Sequence, residues 1–561
     1  MTLAPEKKTK KAKKLSMKAR YEALTRGLDW ESSYVEKDEM FPHLDYEGIK
    51  IHDWAAWEDP FRLTIDAYCK YQAEKDKRLY AVLDGFAQGQ GHLGLTDASY
   101  LNAMKIFIQG VTPLEYGAHR HFAYLARHFA GPGPRFAALC QSIDEIRHMQ
   151  TEIHTLSNYN KYYSGLHNWP EQYDRVWYLS VPKSFMEDAL SCGPFEFLIA
   201  IGFSFEYLLT NLLFVPFMSG SSFNGDLPTM TFGFSAQSDE SRHMTLGLEA
   251  IKFLLEQDEA NVPIVQGWID KWFWRSYRVT ALVAQMLDYM LPRKVMSWKE
   301  SFELYFEEQM LGGLFEDLAF YGITPPRHVE DAIKEKDILS HQVYWTLYQF
   351  SFAAAFTTSV PSDEHMDWLS QAYPDTFDTH YRPLWEKEKK NIEAGGRHFA
   401  PGLPQLCQVC QVPMLFTEPG DPTTFAQRES EFEGEIYHTC SNGCQWIFER
   451  EPEKFGMPDA KSWIAYGASP RASLGIISAS RALALVRGRD YVIPQDVVEV
   501  IPDVLRHRLV LTYDALADEV SAETVINRIM QTVGLPQVNA IPQQGHSAPP
   551  GVPAAAAAGG R

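Results

Sequence analysis

Two pentapeptides carry the same phrase, D-E-x-R-H: Asp144-Glu145-Ile146-Arg147-His148 and Asp239-Glu240-Ser241-Arg242-His243. In each, Glu and His stand three apart, so on a helix they project from one face. A lone Glu in apolar surroundings precedes each phrase, Glu115 by 30 residues before Glu145 and Glu206 by 34 before Glu240. A single Glu-x-x-His is commonly a solvated ion pair. Used twice, with two further carboxylates among apolar residues, it is the ligand set of a di-iron or di-manganese carboxylate bundle, in which four helices present four Glu and two His inward. Four carboxylates also balance two divalent ions in a buried place. Oxygen-rich ligands with two imidazoles suit iron or manganese, whereas zinc or copper would usually take more nitrogen or sulfur. Asp144 and Asp239, with Arg147 and Arg242 beside them, fit as supports: an Asp can accept the outer N–H of a ligating His and fix its tautomer.

A second constellation lies further on. Cys407-x-x-Cys410 and Cys440-x-x-x-Cys444 have the spacing of a closed, structural zinc site. His438, in the phrase Tyr437-His438, could replace one thiolate; the all-cysteine set is the expectation. Four of the seven cysteines fall here, so they do not make a disulfide framework, and the chain reads as cytoplasmic.

The elements that must position these groups read as helices. The chain has 561 residues, 45% of them hydrophobic and 13% aromatic, which suits a globular protein with large cores. Its formal charge of −20 argues against a nucleic-acid binder. Residues 1–20 are the exception, a Lys-rich arm without an apolar stretch behind it, expected to be solvated and disordered. Period-2 alternation is scarce, and residues 21–400 read as a helical domain, with the ligand bundle at about 101–260. The stretch from Gly193 to Met218 is long enough to span a bilayer, but it contains Glu196 and Glu206. It is better read as a helix buried in a large protein, not a membrane segment. Residues 401–455 form the cysteine module and residues 456–535 a further helical unit. The Pro/Ala/Gly-rich tail, 536–561, is expected to be disordered.

With the text around them (AAWEDPFRLTIDAY, DRVWYLSVPKSF, FSFEYLLTNLLFVPFMSG, TFGFSAQSDESRHMTLGLE, DKWFWR), the repeated phrases resemble the hydroxylase α subunits of bacterial multicomponent monooxygenases. Within that group the resemblance is to the phenol hydroxylases, over about residues 15–455. It implies a mainly α, ferritin-like bundle holding a carboxylate-bridged di-iron centre that activates O2 and hydroxylates phenol and methylphenols to catechols. Toluene or an alkene is the alternative substrate within the family. Carried over, the ligands are Glu115, Glu145 and His148 on one iron, and Glu206, Glu240 and His243 on the other. Thr210 and Asn211, one turn after Glu206, and Gln237, one turn before Glu240, stand where the family has polar active-site residues. Val111, Leu114, Ala118, Phe185, Phe205 and Phe214 would line the substrate cavity. The implied partners are β and γ subunits in an (αβγ)2 assembly, a small regulatory protein, and an iron–sulfur flavoprotein reductase that brings electrons from NADH. The segment EIYHTCSNGCQWIFEREPEKF resembles the YHS module.

Residues 456–535 resemble something else, the C-terminal lid of MoxR-like AAA+ ATPases, including the phrase Gly467-Ala468-Ser469-Pro470-Arg471. No Gly-Lys dipeptide occurs anywhere, so no phosphate loop accompanies that lid and Arg471 has no nucleotide of its own to sense. The lid-like part is expected to be non-catalytic. An inactive fusion of a hydroxylase with a lid fragment is the remaining alternative.

Overall fold

The computed structural model describes residues 15–25, 33–34, 46–59, 61–163, 173, 177–350, 358–396, 405–414, 427–456, 463–512, 515 and 520–532. Most of the basic arm and the whole of 536–561 lie outside them. The chain forms two compact units, Met1–Pro452 and Glu453–Arg561.

The first unit is mainly helical. Its centre is built from α1 (Ile65–Gln88), α2 (Ala98–His128), α3 (Pro132–Tyr159), α4 (Ser180–Ala189), the continuous helical run α5 (Pro194–Phe223), α6 (Leu227–Gln257) and α7 (Val262–Gln285). Local chemistry sets the ends. Asp97 caps α2 by accepting the Tyr100 N–H at 2.9 Å, and Asp226 caps α6 through the Thr229 N–H at 3.1 Å. Pro132, Pro194 and Pro228 stand in the first turns of α3, α5 and α6, where no amide hydrogen is needed. Only residues 129–131 separate α2 from α3, and 224–226 separate α5 from α6. Each half of the bundle is therefore a helical hairpin with the lone Glu on its first helix and the Glu-x-x-His on its second.

α5 is not wound uniformly. Ile199–Phe205 and Thr210–Met218 are π turns, with a short α segment, Glu206–Leu209, between them. Such wide turns are rare and concentrate at functional sites; here they flank Glu206 and begin at Thr210. α5 is the one helix among the described residues long and apolar enough to cross a bilayer, and 83% of its most apolar window is buried inside the protein. It lies against α6 at a backbone crossing: a Cβ on Gly247 would fall 2.5 Å from the carbonyl carbon of Gly202.

α7 is buried along most of its length although it carries Lys271, Arg275 and Arg278. Each basic group is matched by acids or carbonyls from other elements. Lys271 answers the need of Glu196 for a cation, at 3.4 Å, although it lies 75 residues away in sequence. Beyond α7 come α8 (Leu339–Phe350), α9 (Asp363–Ala372) and α10 (Arg382–Glu393), which close around Trp385 and Tyr289. The cysteine module consists of an antiparallel pair β1 (Gln405–Leu406) and β2 (Pro413–Met414), a hairpin of β3 (Arg428–Phe432) and β4 (Glu435–Thr439), and α11 (Asn442–Arg450). The hairpin turns through Glu433 and Gly434, both at positive φ.

The second unit pairs β5 (Ile464–Tyr466) with β6 (Val510–Leu511) and packs α12 (Pro470–Val486) on α13 (Pro494–Leu505), followed by α14 (Ala522–Thr532). Ser469 caps α12 through the Arg471 N–H at 3.3 Å. Asp496 gathers Arg487, Arg489 and the Ile493 N–H at the turn between α12 and α13.

Gly247→Ala should cost about 1–3 kcal/mol, the usual range for forcing a methyl into a packed crossing. Thermal unfolding of the substituted protein beside the parent reads this directly; an unchanged midpoint would mean that the two helices part without penalty.

Candidate metal centre

Facing side chains of the two hairpins meet at the bundle axis. Glu115 comes from α2, Glu145 and His148 from α3, Glu206 from α5, and Glu240 and His243 from α6, and all six are buried. Two groups of ligand atoms result. Glu115, Glu145, His148 and Glu240 offer one atom each within 4.8 Å of one another, and so do Glu145, Glu206 and His243. His148 Nδ1 lies 3.5 Å from Glu115, 3.7 Å from Glu145 and 3.2 Å from Glu240. His243 Nδ1 lies 3.5 Å from Glu145, 3.5 Å from Glu206 and 3.0 Å from Glu240. Glu145 and Glu240 thus face both imidazoles, one oxygen each, while Glu115 and Glu206 face one. This differs from a division of the ligands into two separate triads: two carboxylates sit between the two positions.

The donor set fits a pair of metal ions. His148 Nδ1 and Glu206 Oε2 are buried without a hydrogen-bond partner, and both point into the groups just described. Electrostatics say the same. Burial raises Glu115 to about 7 and Glu145 and Glu206 to about 8 in the metal-free protein. Burial works against the charge on His243, but Glu206, Glu145 and Glu240 outweigh it and lift the imidazole to about 10. Glu240 is held at about 2 despite its burial, because both imidazoles face it. Protons here occupy a place where cations would be better matched.

Around these residues runs a ring of support that crosses between the two phrases. His148 Nε2 meets Asp239 at 3.2 Å, and His243 Nε2 meets Asp144 at 3.2 Å. Each Asp therefore holds the imidazole of the other phrase. Arg147 bridges Asp144 at 3.1 Å and Asp239 at 3.3 Å, and Arg242 faces both Asp residues from the other side. Burial alone would raise the Asp239 carboxyl, yet His148, Lys75 and Gln72 hold it far below the usual range.

Several contributors were not singled out in the sequence. α1 supplies Tyr68, whose hydroxyl donates to Asp144 at 2.6 Å, and Gln72, whose amide donates to Asp144 at 2.7 Å and Asp239 at 2.8 Å. Lys75 and Asp76 on the same helix pair with Asp239 and Arg147. Their spacing of four, three and one along a helix was the available signal. Gln141, one turn before Glu145, donates to Glu206 at 2.8 Å. Glu152, one turn after His148, is a further buried carboxyl, raised to about 8 by burial.

A small cavity opens against the carboxylates. It is lined by Val111, Leu114, Ala118, Met186, Ile201, Phe205, Leu209, Thr210 and Phe214, together with the glutamates. Its free volume of about 30 Å³ is room for about two waters. Phe185 stands behind the lining, stacked on Phe205 with ring centroids 4.6 Å apart. Thr210 is the one neutral polar lining residue. Asn211 lies outside the lining and donates to the Tyr207 carbonyl at 2.8 Å; Gln237 is half-buried on α6, also outside it.

The four cysteines form a second, separate cluster, all buried, with Sγ atoms within 4.8 Å of one another. The Cys410–Cys440 and Cys440–Cys444 separations of 3.5 and 3.7 Å are far longer than a disulfide. They approach the ~3.8 Å edge of a tetrahedron with metal–sulfur bonds of about 2.3 Å. His438 is not in the group; its Nδ1 faces Glu429 at 3.8 Å across the hairpin.

Comparisons with known proteins agree with this geometry. A family model described as methane/phenol/alkene hydroxylase matches residues 30–258, and one described as an AAA lid domain matches residues 459–529. The oxygenase component DmpN of phenol 2-monooxygenase from Pseudomonas sp. (strain CF600) is 57% identical over 447 residues, covering 80% of this chain and 86% of that protein. The crystal structure of xenon-pressurised phenol hydroxylase from Pseudomonas sp. OX1 is 59% identical, with a TM-score of 0.76, over 79% of this chain and 90% of that one. The chaperone MoxR1 of Mycobacterium tuberculosis is 80% identical over 112 residues, which is 20% of this chain and only 30% of the chaperone.

Two outcomes are expected of the cluster. Glu145→Ala and Glu240→Ala should each lose both metals, whereas Glu115→Ala and Glu206→Ala should lose mainly one; metal analysis of the four purified variants checks this. Asp239→Asn should weaken the metal held by His148, on the other phrase, by about 10- to 100-fold. Binding needs ionised carboxylates and neutral imidazoles, so it displaces protons. With the free carboxyls at about 7 to 8, uptake of ferrous ion should release protons and weaken as pH falls from ~8 to ~6, measured by titration in two buffers of different ionisation enthalpy.

Proposed function

The chain belongs to the family of phenol hydroxylase oxygenase components, and from that premise we propose that it is the α-type subunit that carries the di-iron centre and hydroxylates phenol and methylphenols to catechols. The observation that carries this reading is the buried set of four glutamates and two histidines with an apolar cavity against it. Glu115, Glu145, His148, Glu206, Glu240 and His243 would hold the irons. Bound there, the pair of irons supplies the activation of O2.

The chain's own residues do the rest. The apolar walls exclude water and admit a flat aromatic ring. Thr210, as the sole neutral hydroxyl of the lining, is placed to accept the phenol O–H or pass on a proton. Gln141 steadies the Glu206 carboxylate from outside the cavity, and the crossed Asp144 and Asp239 hold both imidazoles in the tautomer that leaves Nδ1 free for metal. Because the cavity holds only about two waters' worth of space, a phenol ring enters only when lining side chains such as Met186 and Phe205 move apart.

The four cysteines would hold one structural zinc. Electrons would reach the centre from NADH through a separate iron–sulfur flavoprotein reductase, since the chain carries no nicotinamide or flavin fingerprint of its own. The remaining partners would be β and γ subunits in an (αβγ)2 assembly and a small regulatory protein. The lid-like second unit would take no part in the chemistry.

Metal analysis of the chain co-purified with β and γ partners should give about two irons and about one zinc per chain. With reductase, NADH and O2 the same sample should turn phenol into catechol faster than it turns over toluene. Thr210→Val should lower kcat/KM for phenol by about three- to tenfold and spare toluene. Iron at full occupancy with no turnover of any arene would leave the inactive-fusion reading standing.

A further inference from the structure

The wall of the cavity and the cysteine cluster share a fastening. α4 carries Met186, which lines the cavity, and Phe185, which stacks on the lining residue Phe205. Met186 is seated closely: a Cβ on Gly117, two residues beyond Glu115, would fall 2.7 Å from its Cγ. The position of α4 therefore decides where two pieces of the cavity wall stand.

That position is set from the far side of the helix. Arg275 of α7, 1% exposed, turns its guanidinium fork toward α4 and the cysteine loop. Nε donates to Asp188 of α4 at 3.0 Å, Nη2 donates to the Ser184 carbonyl of α4 at 2.7 Å, and Nη1 donates to the Val409 carbonyl at 2.7 Å. Val409 lies between Cys407 and Cys410 and is itself fully buried. The Ser184 hydroxyl donates to the same Val409 carbonyl at 2.9 Å, so α4 touches the cysteine loop directly as well as through Arg275. One turn earlier on α7, Trp272 sets its ring edge-on to Phe185 at 5.6 Å, and Lys271 faces Asp188 at 3.3 Å.

We propose that Arg275 is a positioning residue for the substrate cavity, tying the α4 wall to the Cys407–Cys410 loop so that the metal held by the cysteines fixes the shape of the space in which phenol binds. The inference rests on the reading of the cavity and the cysteine cluster given under the proposed function. A metal bound by the two thiolates fixes the loop backbone between them, and with it the Val409 carbonyl. Arg275 and Ser184 carry that constraint to α4, and α4 carries it to Met186 and Phe185. Arginine suits the place because its planar fork reaches acceptors on three residues at fixed angles, which an ammonium on a flexible stem does not do. The cysteine cluster is then more than a remote staple: it holds one wall of a cavity that must loosen to admit a ring.

Arg275→Lys and Ser184→Ala test this in the complete hydroxylase with its partner chains, each sample assayed for iron and zinc. The readouts are the phenol dissociation constant and the ratio of catechol isomers formed from 3-methylphenol. R275K should keep both metals yet bind phenol on the order of tenfold more weakly, with an altered isomer ratio. S184A, which loses the hydroxyl's bond to the Val409 carbonyl and the one it accepts from Arg275 at 3.2 Å but keeps the other Arg275 bonds, should shift both readouts in the same direction by about two- to threefold. Metal-loaded R275K and S184A with the parent's binding constant and isomer ratio would overturn the proposal. If R275K does not yield a metal-loaded complex, S184A alone decides it by the same two readouts. A parent sample without iron, or without phenol turnover, would instead overturn the proposed function and be recognised as such before the variants are compared.

Discussion

Four carboxylates and two imidazoles buried in a helical bundle are a constraint that shapes everything around them. Removing one ionised carboxylate from water without compensation costs several kcal/mol even after relaxation. Among the described residues no Lys or Arg forms an ion pair with the six inner groups; Lys75, Arg147 and Arg242 act on the two Asp residues behind the imidazoles. The compensation must come from cations at the centre, and protons do the work only in part, as the raised carboxyls of Glu115, Glu145 and Glu206 show. A cluster so arranged would gain stability on loading, because affinity for metal at a buried site is also folding energy.

The crossed pairing of Asp144 with His243 and of Asp239 with His148 makes the two hairpins interdependent. Neither phrase completes its own site. Each sets its own histidine at one position, turns its Glu toward both, and supports the histidine of the other, and α1 clamps both Asp residues with Gln72. Geometry at the centre is thereby fixed by contacts made outside it, which is how metal proteins usually orient their imidazoles. The wide turns of α5 and the Gly202–Gly247 crossing bring Glu206 close enough to join in.

α7 shows a second use of buried charge. Lys271, Arg275 and Arg278 are carried through the interior and spent on particular joints: Asp188 and Glu196 in the bundle, the Val409 carbonyl and Cys440 in the cysteine module. Buried basic groups with several matched acceptors fix a relative position more sharply than apolar packing does, because each hydrogen bond has a direction. The second unit, Glu453–Arg561, holds its own small core through Asp496 and its two arginines.

The metal chemistry was legible in the sequence because it depends on local spacing. Glu145 with His148 and Glu240 with His243 share a helix face at any tertiary arrangement, and so do the paired cysteines of each half-site. The helical class, the burial of the 193–218 stretch and the foreign character of the lid followed in the same way from periodicity and phrase. What sequence could not decide was which groups meet across elements. That Glu145 and Glu240 each face both imidazoles, that the Asp residues support the opposite histidines, and that Lys271 answers Glu196 are facts of helix placement. So is the division of the polar residues near the centre: Thr210 lines the cavity, while Asn211 turns back to its own helix and Gln237 lies outside the lining. Residues separated by 75 to 134 positions, as Glu196 and Lys271 or Arg275 and Val409 are, carry no mutual signal along the chain. Only the packing of the hairpins and α7 brings them to hydrogen-bonding distance, because a side chain's partner is set by where its helix lies and not by the residues beside it.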